Sequence, residues 1–259
     1  AVTIANSVSS STYNGVTSYA TLVGNAGFTT NVSLVGSDAI GSVSQAATVN
    51  GSAVSGIAQA GSFVSIPSAA VLSTGNANNY AFTYTPATNT VAKANLAITG
   101  TASMSGNIYD GNVHTSSYTT SFLGADAASA TITGMVSQTN AGTYTSALQV
   151  SGSVLNNYNT PVLTDASYVI SPKSITYTTP GATGTYGTLS TLGTPSFNGL
   201  VGSDNPGATV TAYSGASPIT LSATTNAGTY AQKVSALSNP NYTIASTGNT
   251  VGDLVISPK

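Results

Sequence analysis

Apolar and polar residues alternate along short stretches of this chain. The clearest stretches are VTIA at residues 2–5, LAIT at 96–99 and SITYT at 174–178. Alternation with a period of two is typical of strands that bury one face. Glycine, asparagine, serine and proline separate these stretches, and no window combines a helical period with start and stop signals. The pattern therefore predicts an all-β chain with almost no helix.

Four landmarks recur in the same order along the chain. A tyrosine near a glycine occurs in TYNG at 12–15, IYDG at 108–111 and TYGT at 185–188. An aspartate ends LVGSD at 34–38, FLGAD at 122–126 and LVGSD at 200–204. TNAGTY occurs at 139–144 and 225–230, with a decayed copy, QAGSF, at 59–63. An asparagine–tyrosine loop ends at Tyr80, Tyr158 and Tyr242, and each set closes on a lysine, Lys93, Lys173 or Lys259.

These landmarks divide the chain into three repeats, residues 1–92, 93–172 and 173–259, of which the first is divergent. Repeats of this size with frequent turns favour three tandem small β-sandwich (Ig-like) domains in an elongated array. A small β fold with parallel terminal strands fits the same pattern. Pro172 fixes its own φ and keeps the preceding residue extended, which predicts a stiff joint at Pro172 and Lys173.

The composition excludes several classes of protein. Charged residues make up 4% of the chain, against roughly 25% in ordinary soluble proteins. Hydrophobic residues reach 41%, which is enough for packed cores and argues against disorder. Without clustered lysine and arginine the chain is a poor binder of nucleic acid. No apolar run approaches the roughly 20 residues that span a bilayer, so we expect no membrane insertion.

The turn in TNAGTY is typical of a tyrosine corner, in which a tyrosine hydroxyl returns to the backbone a few residues upstream. The residues that would build it are Asn140, Gly142 and Tyr144 in the second repeat and Asn226, Gly228 and Tyr230 in the third. We expect glycine there because it tolerates positive φ. In the first repeat Phe63 replaces the tyrosine and lacks the hydroxyl, so we expect a looser corner.

Several of these motifs together resemble a known group of repeats. They are YDG at 109–111, GLVGSD at 199–204, NAGTY, NPNYTI at 239–244 and the closing ISPK. They are similar to the mostly-β, glycine-rich MBG and YDG repeats of large bacterial surface adhesins, including filamentous-haemagglutinin-like exoproteins. The resemblance covers the second and third repeats well and the first in outline. It implies a secreted array on the bacterial cell surface that projects a functional tip, and it implies no catalytic residues.

Candidate residues for chemistry are few. His114 is the single histidine and follows the YDGN turn, where we expect an exposed loop residue. Paired carboxylates for acid–base catalysis would have to come from dispersed aspartates. We therefore expect no enzyme activity and no cofactor.

The aspartates and lysines that recur have two interpretations each. Asp38, Asp126 and Asp204 are weak calcium candidates, because calcium takes six to eight oxygen ligands; the favoured alternative is an Asx-type turn that caps local N–H groups. The junction lysines could form a lysine–asparagine isopeptide bond. The favoured alternative is a solvated charge that discourages edge-to-edge strand pairing.

Taken together, the sequence favours a structural stalk segment of a surface adhesin, partnered by neighbouring repeats of the same or identical chains. One alternative is a subunit of a self-assembling extracellular matrix fibre that polymerises by strand donation, which the low charge favours. A second alternative is an adhesive module that binds a host or matrix glycan or protein through exposed tyrosines.

Overall fold

The structure is a computed structural model that describes residues 1–102 and 107–259. Within these residues the chain is mostly strand, arranged in several small sheets, with one α-helix. The all-β prediction is confirmed.

The first stretch of chain forms two sheets. Strands β1 to β8 are Val2–Asn6, Ser10–Thr12, Phe28–Thr30, Ala39–Val49, Ser52–Val54, Gly61–Thr74, Phe82–Thr85 and Ala87–Ala92. One sheet has the order β3-β1-β7, and the other has the order β2-β8-β6-β4-β5. Helix α1 spans Tyr19–Asn25, and a 3₁₀ helix spans Ala77–Asn79.

The middle stretch contains shorter strands. Strands β9 to β18 are Ala97–Thr101, Asn107–Ile108, His114–Thr115, Ser117–Thr120, Thr131–Thr133, Ser137–Gln138, Gly142–Thr145, Gln149–Ser151, Val162–Thr164 and Ser167–Ser171. They form sheets of order β12-β9-β17 and β10-β18-β15 and the pairs β11-β14 and β13-β16. Two 3₁₀ helices span Asp126–Ser129 and Ser153–Asn157.

The last stretch again forms two sheets. Strands β19 to β26 are Lys173–Thr178, Ala182–Thr185, Ser196–Asn198, Ala208–Ser214, Ser217–Ile219, Gly228–Leu237, Tyr242–Ile244 and Gly252–Ser257. The sheet orders are β21-β19-β25 and β20-β26-β24-β22-β23. Only Pro172 separates β18 from β19.

Two parallel pairings occur in each of the three stretches. The first strand pairs in parallel with the penultimate one, as β1 with β7, β9 with β17 and β19 with β25. The second strand pairs in parallel with the last one, as β2 with β8, β10 with β18 and β20 with β26. Because parallel partners need a long connection, these pairings join the beginning of each stretch to its end.

Helix α1 is the exception to the strand pattern. The Ser18 hydroxyl accepts a hydrogen bond from the backbone N–H of Thr21 at 3.1 Å, which caps the first turn. Tyr19 and Val23, one turn apart, are its buried residues. With 7 residues the helix is too short to give a periodic signal, because such a signal needs a window of roughly 11 or more.

The chain divides into two compact units. The first comprises Ala1–Gly100, Tyr118–Gly134 and Ala147–Asp165, and the second comprises the described residues of Thr101–Ser117, Met135–Ser146 and Ala166–Lys259. The middle stretch of the sequence thus contributes to both units. The division into three sandwich domains at residues 92 and 172 stays a prediction.

Each unit has its own apolar core in which tyrosines take a large share. In the first unit Tyr13, Tyr19 and Tyr158 pack with buried aliphatic residues and Phe63. In the second unit Tyr109, Tyr168 and Tyr242 pack with Ile170 and Ile175. Buried tyrosines bring a hydroxyl that needs a hydrogen-bond partner, and those partners define the candidate site.

Candidate functional site

The three recurring aspartates each end a tight backbone turn. The N–H of Asp38, Asp126 and Asp204 donates to the carbonyl oxygen of Val35, Leu123 and Val201, at 3.2, 3.2 and 3.1 Å. The glycines at the second turn position have φ of 64°, 56° and 53°, as a type II′ turn requires. A residue with a Cβ rarely adopts this conformation, so the turn accounts for the glycine in LVGSD and FLGAD.

The carboxylate of Asp126 receives two tyrosine hydroxyls. Tyr13 donates to its Oδ1 and Oδ2 at 3.0 and 2.8 Å, and Tyr158 donates to Oδ2 at 2.6 Å. The Tyr158 hydroxyl also accepts the backbone N–H of Leu123 at 2.9 Å. The rings of Tyr13 and Tyr158 meet edge to face, with centroids 5.7 Å apart. We call these residues the Asp126 junction; all of them belong to the first unit.

The second unit contains the same arrangement around Asp204. Tyr109 and Tyr242 both donate to Asp204 Oδ2 at 2.7 Å, and the Tyr242 hydroxyl accepts the N–H of Val201 at 3.0 Å. The two rings again meet edge to face, at 5.4 Å. We call this set the Asp204 junction. Its match with the Asp126 junction, down to the backbone donor, shows a repeated construction.

Burial and hydrogen bonding shift the pKa values of the junction tyrosines and of Asp204. The hydrogen bond to Asp204, together with burial, raises the pKa of Tyr109 to about 12. Burial and the hydrogen bond to Asp126 raise the pKa of Tyr158 to about 12. In return, the hydroxyls of Tyr242 and Tyr109 lower the pKa of Asp204. At Asp204, neutral phenols therefore donate to an ionised carboxylate, and hydrogen bonds of this kind are stronger than neutral ones.

A second contact accompanies each junction, made by the asparagine that precedes its tyrosine. Asn157 donates from Nδ2 to Gln59 Oε1 at 2.7 Å and accepts the N–H of Ala60 at Oδ1 at 2.8 Å. Asn241 does the same with Asn140 Oδ1 at 3.0 Å and the N–H of Ala141 at 2.7 Å. Both asparagines are buried. We call these contacts the asparagine clamps.

The junctions and clamps connect landmarks of predicted repeats that follow each other along the chain. Tyr13 precedes Asp126 by 113 positions and Tyr109 precedes Asp204 by 95, so in each pair the tyrosine of one repeat donates to the aspartate of the next. The clamps run the other way, from an asparagine of the later repeat to the QAG or NAG turn of the earlier one. All four sequence landmarks therefore meet in one kind of contact.

Neither the calcium interpretation nor the Asx-turn interpretation includes the tyrosine hydroxyls that the three aspartates accept. The carboxylates of Asp126 and Asp204 accept tyrosine hydroxyls, and Asp38 accepts the hydroxyl of Tyr80 at 2.8 Å. Within residues 1–102 and 107–259 there is no group of three or more histidine, cysteine, aspartate or glutamate residues placed to hold a metal ion.

An Asx turn is present at a different aspartate. The Asp110 carboxylate accepts the backbone N–H of Asn112 at 2.9 Å and its Nδ2 at 3.0 Å. It also contacts His114 Nε2 at 3.0 Å. The Asn112 contacts, with His114, lower the pKa of Asp110 to about 2. The expectation that His114 is exposed is wrong: it is buried, because its strand β11 pairs with β14 and its carbonyl accepts the Tyr168 hydroxyl.

Both tyrosine corners have a hydroxyl-to-backbone hydrogen bond. Tyr144 donates to the carbonyl oxygen of Asn140 at 2.9 Å, and Tyr230 donates to that of Asn226 at 2.8 Å. The expected reason for glycine is wrong, since neither Gly142 nor Gly228 has positive φ. At Gly142 the reason is space, because a Cβ would lie 2.8 Å from the Tyr144 hydroxyl oxygen.

The equivalent residue in the first repeat has a different environment. Phe63 is buried, and its ring meets that of Tyr19 edge to face at 5.3 Å. Phe63 lacks the tyrosine hydroxyl, and its ring packs in an apolar environment where a hydroxyl is not needed.

The recurring lysines lie at a strand end or within two residues of one. Lys93 and Lys259 are exposed, whereas Lys173 is half-buried as the first residue of β19. Its backbone N–H donates to the carbonyl oxygen of Asn241 at 2.8 Å. Pro172 is exposed between two strands of the second unit. The isopeptide and solvated-charge interpretations both stay predictions.

Comparisons with known proteins add no identification. The chain matches no protein-family model, and neither the curated proteins nor the solved structures include a match. Across the described parts of the chain, no helix is long and apolar enough to cross a bilayer.

Proposed function

We propose that the chain is a structural stalk segment of a secreted bacterial surface adhesin, which holds a binding tip away from the cell. The observation that supports this most is the double connection between successive repeats. A tyrosine–aspartate junction and an asparagine clamp occur together twice, once in each compact unit. The resemblance of the motifs to adhesin repeats supports the extracellular location.

The chemistry of the junctions suits load-bearing contacts. The donating tyrosines are 4% and 7% exposed at Tyr13 and Tyr109, so water competes little for their hydrogen bonds. Each carboxylate is shared by one tyrosine from either side of the repeat boundary. Because the clamp connects the same two repeats through other residues, separating them requires breaking both contacts together.

The same chemistry favours a structural role over catalysis. A tyrosine acting as a base or nucleophile needs a lowered pKa, whereas the pKa values of Tyr109 and Tyr158 are raised. We therefore propose a non-enzymatic function, and we propose neighbouring repeats as the partners of these residues.

Single-molecule force spectroscopy tests the proposal. The chain would be inserted between marker domains of known unfolding force and pulled from both ends. We expect it to unfold cooperatively, in steps that each release more than one repeat, at a force that decreases in the double variant Tyr13→Phe and Tyr109→Phe. Tyr118→Phe is the matched control, because Tyr118 is 37% exposed and outside both junctions. Extension at negligible force, without discrete unfolding steps, would refute the stalk.

A further inference from the structure

Two incomplete copies of the junction remain on the surface of the chain. One consists of Val35, Asp38, Asn79 and Tyr80, which we call the acceptor half. The other consists of Tyr186, Gly187, Asn226 and Ala227, which we call the donor half. Each contains the tyrosine and asparagine landmarks of one side of a complete junction and clamp. In the donor half the glycine directly follows the tyrosine, whereas Gly15 and Gly111 stand two positions after theirs.

The acceptor half is already arranged as in the complete junctions. The N–H of Val35 donates to the Tyr80 hydroxyl at 2.9 Å, and that hydroxyl donates to Asp38 Oδ2 at 2.8 Å. The type II′ turn is also present. What is missing is the second tyrosine.

The acceptor half is more exposed than the equivalent residues of the complete junctions, as expected where the second tyrosine is missing. Val35 is 77% exposed, whereas the equivalent Leu123 and Val201 are half-buried. In the second unit the cover comes from the tyrosine–glycine turn, since a Cβ on Gly111 would lie 2.8 Å from the Val201 side chain. Asn79 is exposed, whereas the clamping Asn157 and Asn241 are buried.

The donor half has the same backbone anchor as the complete junctions. The N–H of Tyr186 donates to the Ser257 carbonyl oxygen at 2.9 Å. The equivalent bonds place Tyr13 and Tyr109 at the ends of β8 and β18, through the carbonyl oxygens of Ala92 and Ser171. Yet Tyr186 is 41% exposed, and its hydroxyl has no hydrogen-bond partner in residues 1–102 or 107–259.

The clamp side of the donor half is also preformed. The hydroxyl of Tyr230 donates to the carbonyl oxygen of Asn226. In the complete copy, the hydroxyl of Tyr144 donates to the carbonyl oxygen of Asn140 in the same way. Asn226 and Ala227 are exposed, and they are equivalent to Asn140 and Ala141, which Asn241 binds.

We propose that the donor half of one copy of this chain docks onto the acceptor half of a second copy. The Tyr186 hydroxyl donates to Asp38 beside Tyr80, and the Asn79 amide binds Asn226 and the N–H of Ala227. The two surfaces differ, so the contact is head-to-tail and can continue from copy to copy. A net charge of −2 opposes this association little. The inference is independent of the stalk proposal and needs no exchange of strands.

Sedimentation velocity of the full chain, from low micromolar to millimolar concentration, tests the docking. We expect the average sedimentation coefficient to rise with concentration. Tyr186→Phe removes the donor hydroxyl, and the double variant Asp38→Ala and Asn79→Ala removes the acceptor groups. Each should weaken association about 10-fold or more, as expected for a lost hydrogen bond to a charged group. Tyr118→Phe, at another exposed tyrosine, should associate like the parent.

Mixing the two blocked variants gives the sharper result. Each alone should stay monomeric where the parent associates, but each keeps one intact half. An equimolar mixture should therefore form 1:1 dimers and nothing longer. A parent chain that is monomeric throughout would overturn the proposal, and so would association that neither variant weakens, as strand donation would give. Circular dichroism of each variant, with the parent spectrum expected, verifies that the substitutions leave the fold intact.

Discussion

The Asp126 junction and the acceptor half at Asp38 lie in the same compact unit and differ in their second tyrosine and its cover. Both have the type II′ turn, and in both the tyrosine that follows an asparagine accepts a turn N–H and donates to the aspartate. Only Asp126 receives a second tyrosine, Tyr13. The aspartate turn and its first tyrosine are therefore in place without the second tyrosine, which completes a site that Asp38 and Tyr80 already form.

The largest effect should come from removing the carboxylate of the complete junction. Asp126→Ala leaves the hydroxyls of Tyr13 and Tyr158 without their acceptor in a buried place, which costs about 3 kcal/mol of unfolding free energy. Asp38→Ala deprives only the half-buried Tyr80, so its loss should be much smaller. Urea denaturation of both variants measures the difference. Equal losses would mean that Tyr13 contributes nothing to the junction.

The clamps allow the same comparison with a neutral side chain. Asn157→Ala removes two hydrogen bonds and leaves the N–H of Ala60 unpaired, which should cost about 2 kcal/mol. Asn79→Ala changes an exposed residue of the same unit and should stay within about 0.5 kcal/mol of the parent. Urea midpoints at constant slope give both values. A clamp variant as stable as Asn79→Ala would show that the clamp is incidental.

Much of the local structure could be predicted from the sequence, because strands and tight turns depend on nearby residues. The alternation at residues 2–5 and 174–178 predicts strands β1 and β19, and both are present. The bond from Tyr144 to Asn140 spans four residues and follows from the NAGTY motif alone. Short-range motifs of this kind specify their own geometry.

The junctions could not be predicted in the same way. The calcium and Asx-turn interpretations of Asp126 rest on its neighbours in sequence, whereas its partner Tyr13 is 113 positions away. No local sequence pattern identifies the distant hydroxyl that donates to a given carboxylate. The available signal was the co-occurrence of tyrosine, aspartate and asparagine in every repeat, since polar residues that recur together are candidates for one shared hydrogen-bond network.

Alkaline pH should weaken the complete junctions through their tyrosines. The folded pKa of Tyr109 and of Tyr158 is raised to about 12, above the ordinary value of about 10. Their stabilising contribution is fully present below pH 10 and is lost as the pH rises towards 12, because the unfolded state then binds fewer protons than the folded state. The chain has no tryptophan, so absorbance near 295 nm reports tyrosinate directly.

This titration should have a late stage, in which the junction tyrosines Tyr109 and Tyr158 ionise together with unfolding. In Asp126→Ala the late stage should shrink, since the carboxylate is one cause of the raised pKa of Tyr158. A single stage shared by all tyrosines, with the fold retained, would contradict the assigned geometry.

The smallest effect should distinguish the two tyrosine corners, one held by a clamp and one in the open donor half. In Gly142→Ala the new Cβ would lie 2.8 Å from the Tyr144 hydroxyl oxygen, so the ring must move and its bond to Asn140 weakens, which costs about 1 kcal/mol. At Gly228 the same atom would lie 3.7 Å from the Tyr230 hydroxyl, an ordinary contact. Gly228→Ala should therefore be neutral or stabilise the chain by up to about 1 kcal/mol, because alanine restricts the unfolded state. The midpoint of thermal unfolding should therefore decrease in Gly142→Ala and stay unchanged or increase in Gly228→Ala. Equal destabilisation by both substitutions would show that these glycines are needed for backbone conformation and not for space.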